Sequence, residues 1–91
     1  MQGKERLVTP TEKALTQTWA EVLRRDSVGL DDDFFALGGN SLISVRMAGL
    51  LHERLGIEAP IDRLAEHRTV AAFARLIDES AAGAEQEQGL I

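Results

Sequence analysis

Apolar residues recur along this chain in three helical patterns, divided by one long stretch that keeps no period. The first pattern follows "TPTE", where Thr9 is placed as an N-cap, Pro10 at the first helical position and Glu12 three residues after the cap. Leu15, Trp19, Val22 and Leu23 then repeat at i, i+4, i+7 and i+8, which makes one apolar stripe and places Trp19 in the core. Arg24 and Arg25 suit the negative end of the helix dipole, so the spacing predicts a first helix over 10–25. A second runs from Ser41 to Leu55 and is stopped by Gly56 and then Pro60. Met47, Ala48, Leu51 and Leu55 form its inward stripe. Leu42 and Val45 lie on a different side, beside Arg46 and Gly49, and leave apolar surface exposed near its start.

After Pro60, "IDRLAEH" predicts a short helix capped near Asp62, with Ile61 and Leu64 inward. Thr69 caps a last helix in which Val70, Phe73, Ala74 and Ile77 repeat at i, i+3, i+4 and i+7. Beyond Asp78 the period is lost. The expected organisation is an N-terminal lead over 1–8, one domain over 9–79 and a flexible tail over 80–91. Three longer helices and a short one make a small all-α four-helix bundle.

The aperiodic stretch from 26 to 40 is the informative one. Unstructured connections longer than about 12 to 15 residues are uncommon in compact domains, and those that occur are usually functional or disordered. Val28, Leu30, Phe34, Phe35 and Leu37 can pin this one onto the helices, so an ordered loop is expected, with a helical turn at 31–36. Asp31, Asp32 and Asp33 lack the alternating ligands and closing glutamate of a calcium loop and read as a solvated face. The loop ends in "LGGNSL". Asn and Ser before an apolar run cap a helix. Yet Gly38 and Gly39 clear side chains from the neighbourhood of Ser41, and free N–H groups at a helix start favour a phosphate. Leu42, Val45 and Arg46 add an apolar and cationic rim. On these residues alone, a cap and a chemical handle both stand.

Composition narrows the choice. A chain of 91 residues is one domain, and it buries roughly 60 to 70% of its unfolded surface, which leaves little room for an enzyme cleft. It has no cysteine for a disulfide or a thiolate metal site, and His52 and His67 show no ligand spacing, so no metal is expected. A net charge of −5 argues against nucleic-acid binding. No apolar run reaches membrane-spanning length, and "MQGKERLV" lacks the apolar core of a secretory signal, so a soluble cytoplasmic monomer is expected. A serine hydrolase would need a base beside Ser41 and an elbow of the form G-x-S-x-G. Here Leu42 and Ile43 follow the serine, and His52 would stand about 16 Å further along the helix.

The joined motifs carry a resemblance. "DDDFFALGGNSL" resembles the attachment motif of peptidyl carrier proteins, the thiolation domains of nonribosomal peptide synthetases, in which two aromatics and "LGG" precede a modified serine. The similarity extends through "TPTEKALTQTWAEVL" and "GIEAPIDRLAEHRTVAAFARLI", over residues 9–78. It implies a four-helix bundle and a non-catalytic carrier whose serine, Ser41 here, bears 4′-phosphopantetheine, with Gly39, Asn40 and Leu42 beside the attachment point. It also implies a phosphopantetheinyl transferase using coenzyme A and Mg²⁺, an adenylating enzyme that loads an aminoacyl or aryl thioester, and condensation, tailoring or thioesterase partners in antibiotic biosynthesis. Leu42, Val45 and Arg46 would meet those partners. The residue before the serine is most often Asp or His in the family; Asn40 keeps the capping oxygen without a charge, which bears on partner preference. The alternatives are an acyl carrier of polyketide or fatty-acid type, whose second helix is usually strongly acidic, and a passive helical adaptor.

Overall fold

The computed structural model describes the backbone of residues 8–90 and the side chains of 8–80. Three α-helices and one 3₁₀ helix follow in the order α1 (Pro10–Leu23), α2 (Ser41–Leu55), the 3₁₀ helix (Ile61–Glu66) and α3 (Val70–Leu90). Among the described residues there is no strand, only an isolated bridge between Asp33 and Thr69. None of these helices is long and apolar enough to cross a membrane.

The helix starts follow from local chemistry. Thr9 Oγ1 accepts from the Glu12 N–H while Glu12 Oε1 accepts from the Thr9 N–H, each at 3.0 Å, so the capping box is complete. Thr69 Oγ1 accepts from Ala72 N–H at 3.2 Å at the start of α3. The short helix is different: it begins at Ile61 on Pro60 with no side-chain cap, so Asp62 does not cap it. α1 also ends before Arg24 and Arg25. Arg24 closes it in the left-handed conformation at φ 58°, with its N–H on the carbonyls of Ala20 and Glu21. α3 carries helical backbone to Leu90, through the segment read as a tail. Ala, Glu and Gln supply helix propensity there without an apolar period.

The core gathers Leu15, Trp19, Phe34, Met47, Leu51, Leu64, Val70 and Phe73, each almost wholly buried. Trp19 meets Phe34 edge-on, with ring centroids 5.0 Å apart, and Phe73 lies 6.4 Å away. Leu55 does not join the stripe expected of it. It is 56% exposed, because α2 ends there, past Leu51, the last of its residues to reach the core.

The loop between α1 and α2 is held at both ends of its aromatic pair. Phe34 N–H donates to the Arg68 carbonyl at 2.9 Å, and Ala71 N–H donates to the Leu30 carbonyl at 3.0 Å. Asp33 is not a solvated acid: its Oδ1 accepts from the N–H groups of Phe35 (2.8 Å) and Ala36 (3.1 Å), and its Oδ2 from Arg68 Nε (2.8 Å). The Asp32 carboxylate accepts from Gly29 N–H at 2.8 Å. The expected helical turn lies slightly later, at 34–38, with Leu37 N–H on the Asp33 carbonyl. The guanidinium of Arg68 lies 4.9 Å over the Phe35 ring, and Arg25 Nη2 donates to the Leu37 carbonyl at 3.1 Å.

The paired glycines serve different ends. Gly38 sits at φ 107° with open space around it, so its backbone is what excludes a side chain. Gly39 presses on the Phe34 ring, and its N–H donates to the Phe34 carbonyl at 3.0 Å. A Cβ at Gly39 would run into two ring carbons and stand 2.8 Å from the Phe34 carbonyl oxygen. The missing side chain therefore makes room for the core rather than for a visitor.

Gly39→Ala is expected to destabilise the protein by about 3 kcal/mol, the upper end of overpacking costs, against about 1 kcal/mol for Gly38→Ala, which meets only backbone strain. Urea unfolding midpoints of the two variants check the order. The backbone hydrogen bond from Ala36, with that from Phe35 and the Arg68 contact, lowers the Asp33 carboxyl below its ordinary 3.8. A lowered folded value stabilises above the unfolded pKa and is lost as pH falls through the folded one. Asp33→Asn should thus melt below the parent at neutral pH, and the gap should close as pH falls below 3.8 and through the lowered folded value.

Candidate functional site

The start of α2 assigns the two polar residues separate tasks. Asn40, extended at φ −151° and ψ −176°, is the N-cap, and its Oδ1 accepts from the Ile43 N–H at 2.9 Å. Ser41 is the first helical residue and is exposed. Its side chain makes no hydrogen bond among the described residues, so its hydroxyl is free of structural duty. Its carbonyl is engaged instead, accepting from Ser44 Oγ at 2.7 Å. Ser44 is buried, and its hydroxyl pins the first turn from beneath, a role that the sequence reading missed.

The electrostatics at this end are one-sided. The first turn of α2 contains no acid, so its unpaired N–H groups and positive dipole end are not offset from within the helix. Arg46, exposed, follows one turn later, and its charge contributes slightly to lowering the Glu21 carboxyl. That glutamate is chiefly engaged by Arg54 through two hydrogen bonds of 2.8 and 3.0 Å, which hold its carboxyl below the ordinary 4.5. Arg54 is thus occupied in tying α2 to α1.

Leu42 and Val45 are 79% and 57% exposed, as their helical positions predict, and form an apolar shoulder beside Ser41. Ser41, Leu42, Val45 and Arg46 therefore share one end of α2. Asn40 belongs to it as the cap; Gly39 stands behind it, packed on Phe34. The histidines lie elsewhere. His52 faces Glu58 at 3.7 Å, and His67 Nδ1 is 3.1 Å from the Arg63 carbonyl. Neither of the two grooves along α3, one of about 650 Å³ and one of about 340 Å³, is lined by Ser41 or its neighbours. The serine stands exposed at the start of α2.

Of the residues missed by sequence reading, Asp33, Arg68 and Arg25 act across contacts that no one-dimensional period encodes, whereas Ser44 acts three residues back on its own helix, a spacing the sequence could have offered. Asp33 and Arg68 lie 35 positions apart, and Arg25 and Leu37 lie 12 apart.

Comparison with known proteins bears on the family and the fold. The family model described as "Phosphopantetheine attachment site" matches residues 13–77. Malpibaldin synthetase of Mortierella alpina is 41% identical over 80 residues, 88% of this chain, and the match spans 1% of that protein's length. A solved nonribosomal peptidyl carrier protein (PCP) domain is 38% identical with a TM-score of 0.70, covering 78% of this chain and 91% of its own. A chain in the solved complex of the phosphopantetheine transferase Sfp with coenzyme A and a peptidyl carrier protein is 27% identical with a TM-score of 0.71, covering 80% and 95%. With the family's attachment segment matched across the bundle and a peptidyl carrier domain matched over nearly its whole length, this chain belongs to the phosphopantetheine-attachment family, as a carrier domain of the nonribosomal peptide type.

Proposed function

We propose that Ser41 is the attachment residue for 4′-phosphopantetheine and that this chain carries an aminoacyl, aryl or peptidyl group during nonribosomal peptide assembly. The observation that carries the reading is the division of labour at α2: Asn40 caps the helix, and the Ser41 hydroxyl is left exposed and unbonded. A phosphate esterified there would lie against the open end of a helix whose first turn has no acid to repel it.

The reaction at Ser41 needs a second protein. The serine oxygen attacks the phosphorus of coenzyme A next to the pantetheine, the new O–P bond forms, and the pyrophosphate bond breaks. Adenosine bisphosphate departs, and the hydroxyl proton passes to a base of the transferase. This chain contributes an accessible oxygen, a rigid helix start and the Leu42 and Val45 shoulder on which a partner rests. Once attached, the arm supplies a thiol that holds the acyl group as a thioester. Because the chain has no cysteine, that thiol would be the only one it carries. Tethering then replaces a bimolecular meeting with a locally concentrated one.

A polyketide or fatty-acid carrier is the second reading within the family. The charge of α2 favours the peptidyl one, since Arg46 and Arg54 stand against Glu53 alone, where acyl carriers usually present a strongly acidic helix. Partners on this surface would be those that accept an apolar shoulder with one cation beside it: the transferase, an adenylating enzyme, and condensation, tailoring or thioesterase domains.

Incubation with a broad-range phosphopantetheinyl transferase, coenzyme A and Mg²⁺ is expected to add one arm to the parent and none to Ser41→Ala, read by intact mass. The variant should keep the parent's helical circular dichroism, because the cap is Asn40. An unmodified parent, beside a known carrier modified in parallel, would leave the adaptor reading in its place.

A further inference from the structure

We infer that Arg68 is a positioning residue for the attachment serine, setting where Ser41 is presented to a partner through Asp33 and the 34–38 turn. This rests on the attachment reading above. Arg68 precedes α3 and makes three separate holds on the loop that leads into α2. Its Nε donates to Asp33 Oδ2 at 2.8 Å, its guanidinium covers the Phe35 ring at 4.9 Å, and its carbonyl accepts the Phe34 N–H at 2.9 Å. The Asp33 carboxylate is shared between the two sides of this contact. One oxygen faces Arg68, and the other caps the turn by accepting from the Phe35 and Ala36 N–H groups.

From the turn, the path to the serine is short. The Phe34 carbonyl accepts the Gly39 N–H at 3.0 Å, Gly39 packs against the Phe34 ring, and Asn40 caps α2 immediately after. The tilt of the turn against the start of α3 therefore sets the height and direction of Ser41 above the core. The ion pair is suited to orientation more than to stability. Its side chains are 49% and 32% exposed, and pairs at that exposure stabilise a fold little. Without the Arg68 side chain, the backbone bonds from Phe34 to the Arg68 carbonyl and from Ala71 to the Leu30 carbonyl remain, so the fold persists while the turn loosens. A transferase must then find the competent arrangement among several, and its apparent affinity falls with the population of that arrangement.

The test uses the full 91-residue chain with a broad-range transferase, coenzyme A and Mg²⁺, following initial rates by intact mass as carrier concentration is varied. Arg68→Met is expected to raise the KM for the carrier about 3- to 10-fold while kcat stays near the parent, as a lowered competent population requires. Asp33→Asn, which keeps a capping oxygen, should do the same, and the double variant should be no worse than either single one. Arg68→Lys, with its charge retained, should recover part of the loss. Arg63→Met, which breaks only the exposed pair with Glu66 on the 3₁₀ helix, should load like the parent.

An unchanged KM for Arg68→Met, or losses that multiply in the double variant, would overturn the inference. Should Arg68→Met fail to fold, Asp33→Asn and Arg68→Lys decide the question alone. Amide hydrogen exchange gives a readout that needs no modification. Faster exchange at Phe35, Ala36 and Gly39 in Arg68→Met, with α1 and α3 unchanged, is the expected result, and unaltered exchange there counts against the inference. A parent that accepts no arm would refute the attachment reading, while the exchange result would still judge the role of Arg68.

Discussion

The ring of Phe34 is the contact on which the rest of this structure depends. It is wholly buried, meets Trp19 edge-on and packs against Gly39, while its own backbone reaches Arg68 on one side and Gly39 on the other. A long loop loses much conformational entropy when it is ordered, and polar contacts near the surface offset little of it. An aromatic side chain set into the core does offset it, and it also fixes direction, since a planar ring in a packed interior has few orientations. The loop is thus part of the core at one residue and a surface feature at its neighbours.

That arrangement explains how a small bundle can hold a serine hydroxyl exposed at a rigid helix start. The side chains that make the helix start stable and the one left unbonded there are different residues. Asn40 satisfies the helix, Ser44 secures the backbone from below, and Ser41 stands between them with nothing to hold it. Around it, apolar area and a single arginine lie on the outside of α2, with the other arginine drawn aside by Glu21.

The parts of this design that are local in the chain were legible in the sequence. The Thr9 box, the Thr69 cap, the burial of Trp19 and the exposure of Leu42 and Val45 all follow from residues three or four apart on one helix, and the bundle follows from their stripes. The attachment motif marked the serine through its resemblance to a known family, whereas residue chemistry alone left a cap and a handle both possible. Apart from the local Ser44 bond, what escaped was tertiary. Asp33 read as one of three solvated acids until Arg68 was brought against it, and Gly39 read as clearance for a visitor until Phe34 was seen beneath it. Leu55 had the right period and the wrong place, because periodicity does not say where a helix leaves its neighbours.

Trp19 is the only tryptophan in the chain, and its indole Nε1 is buried with no hydrogen-bond partner among the described residues. An indole so placed emits from a dry setting and at shorter wavelength than a hydrated one. The protein's intrinsic fluorescence therefore originates under the loop, beside the Phe34 ring, and no other indole dilutes it. Any event that admits water or alters packing at that spot would be visible as a change in emission, without a label.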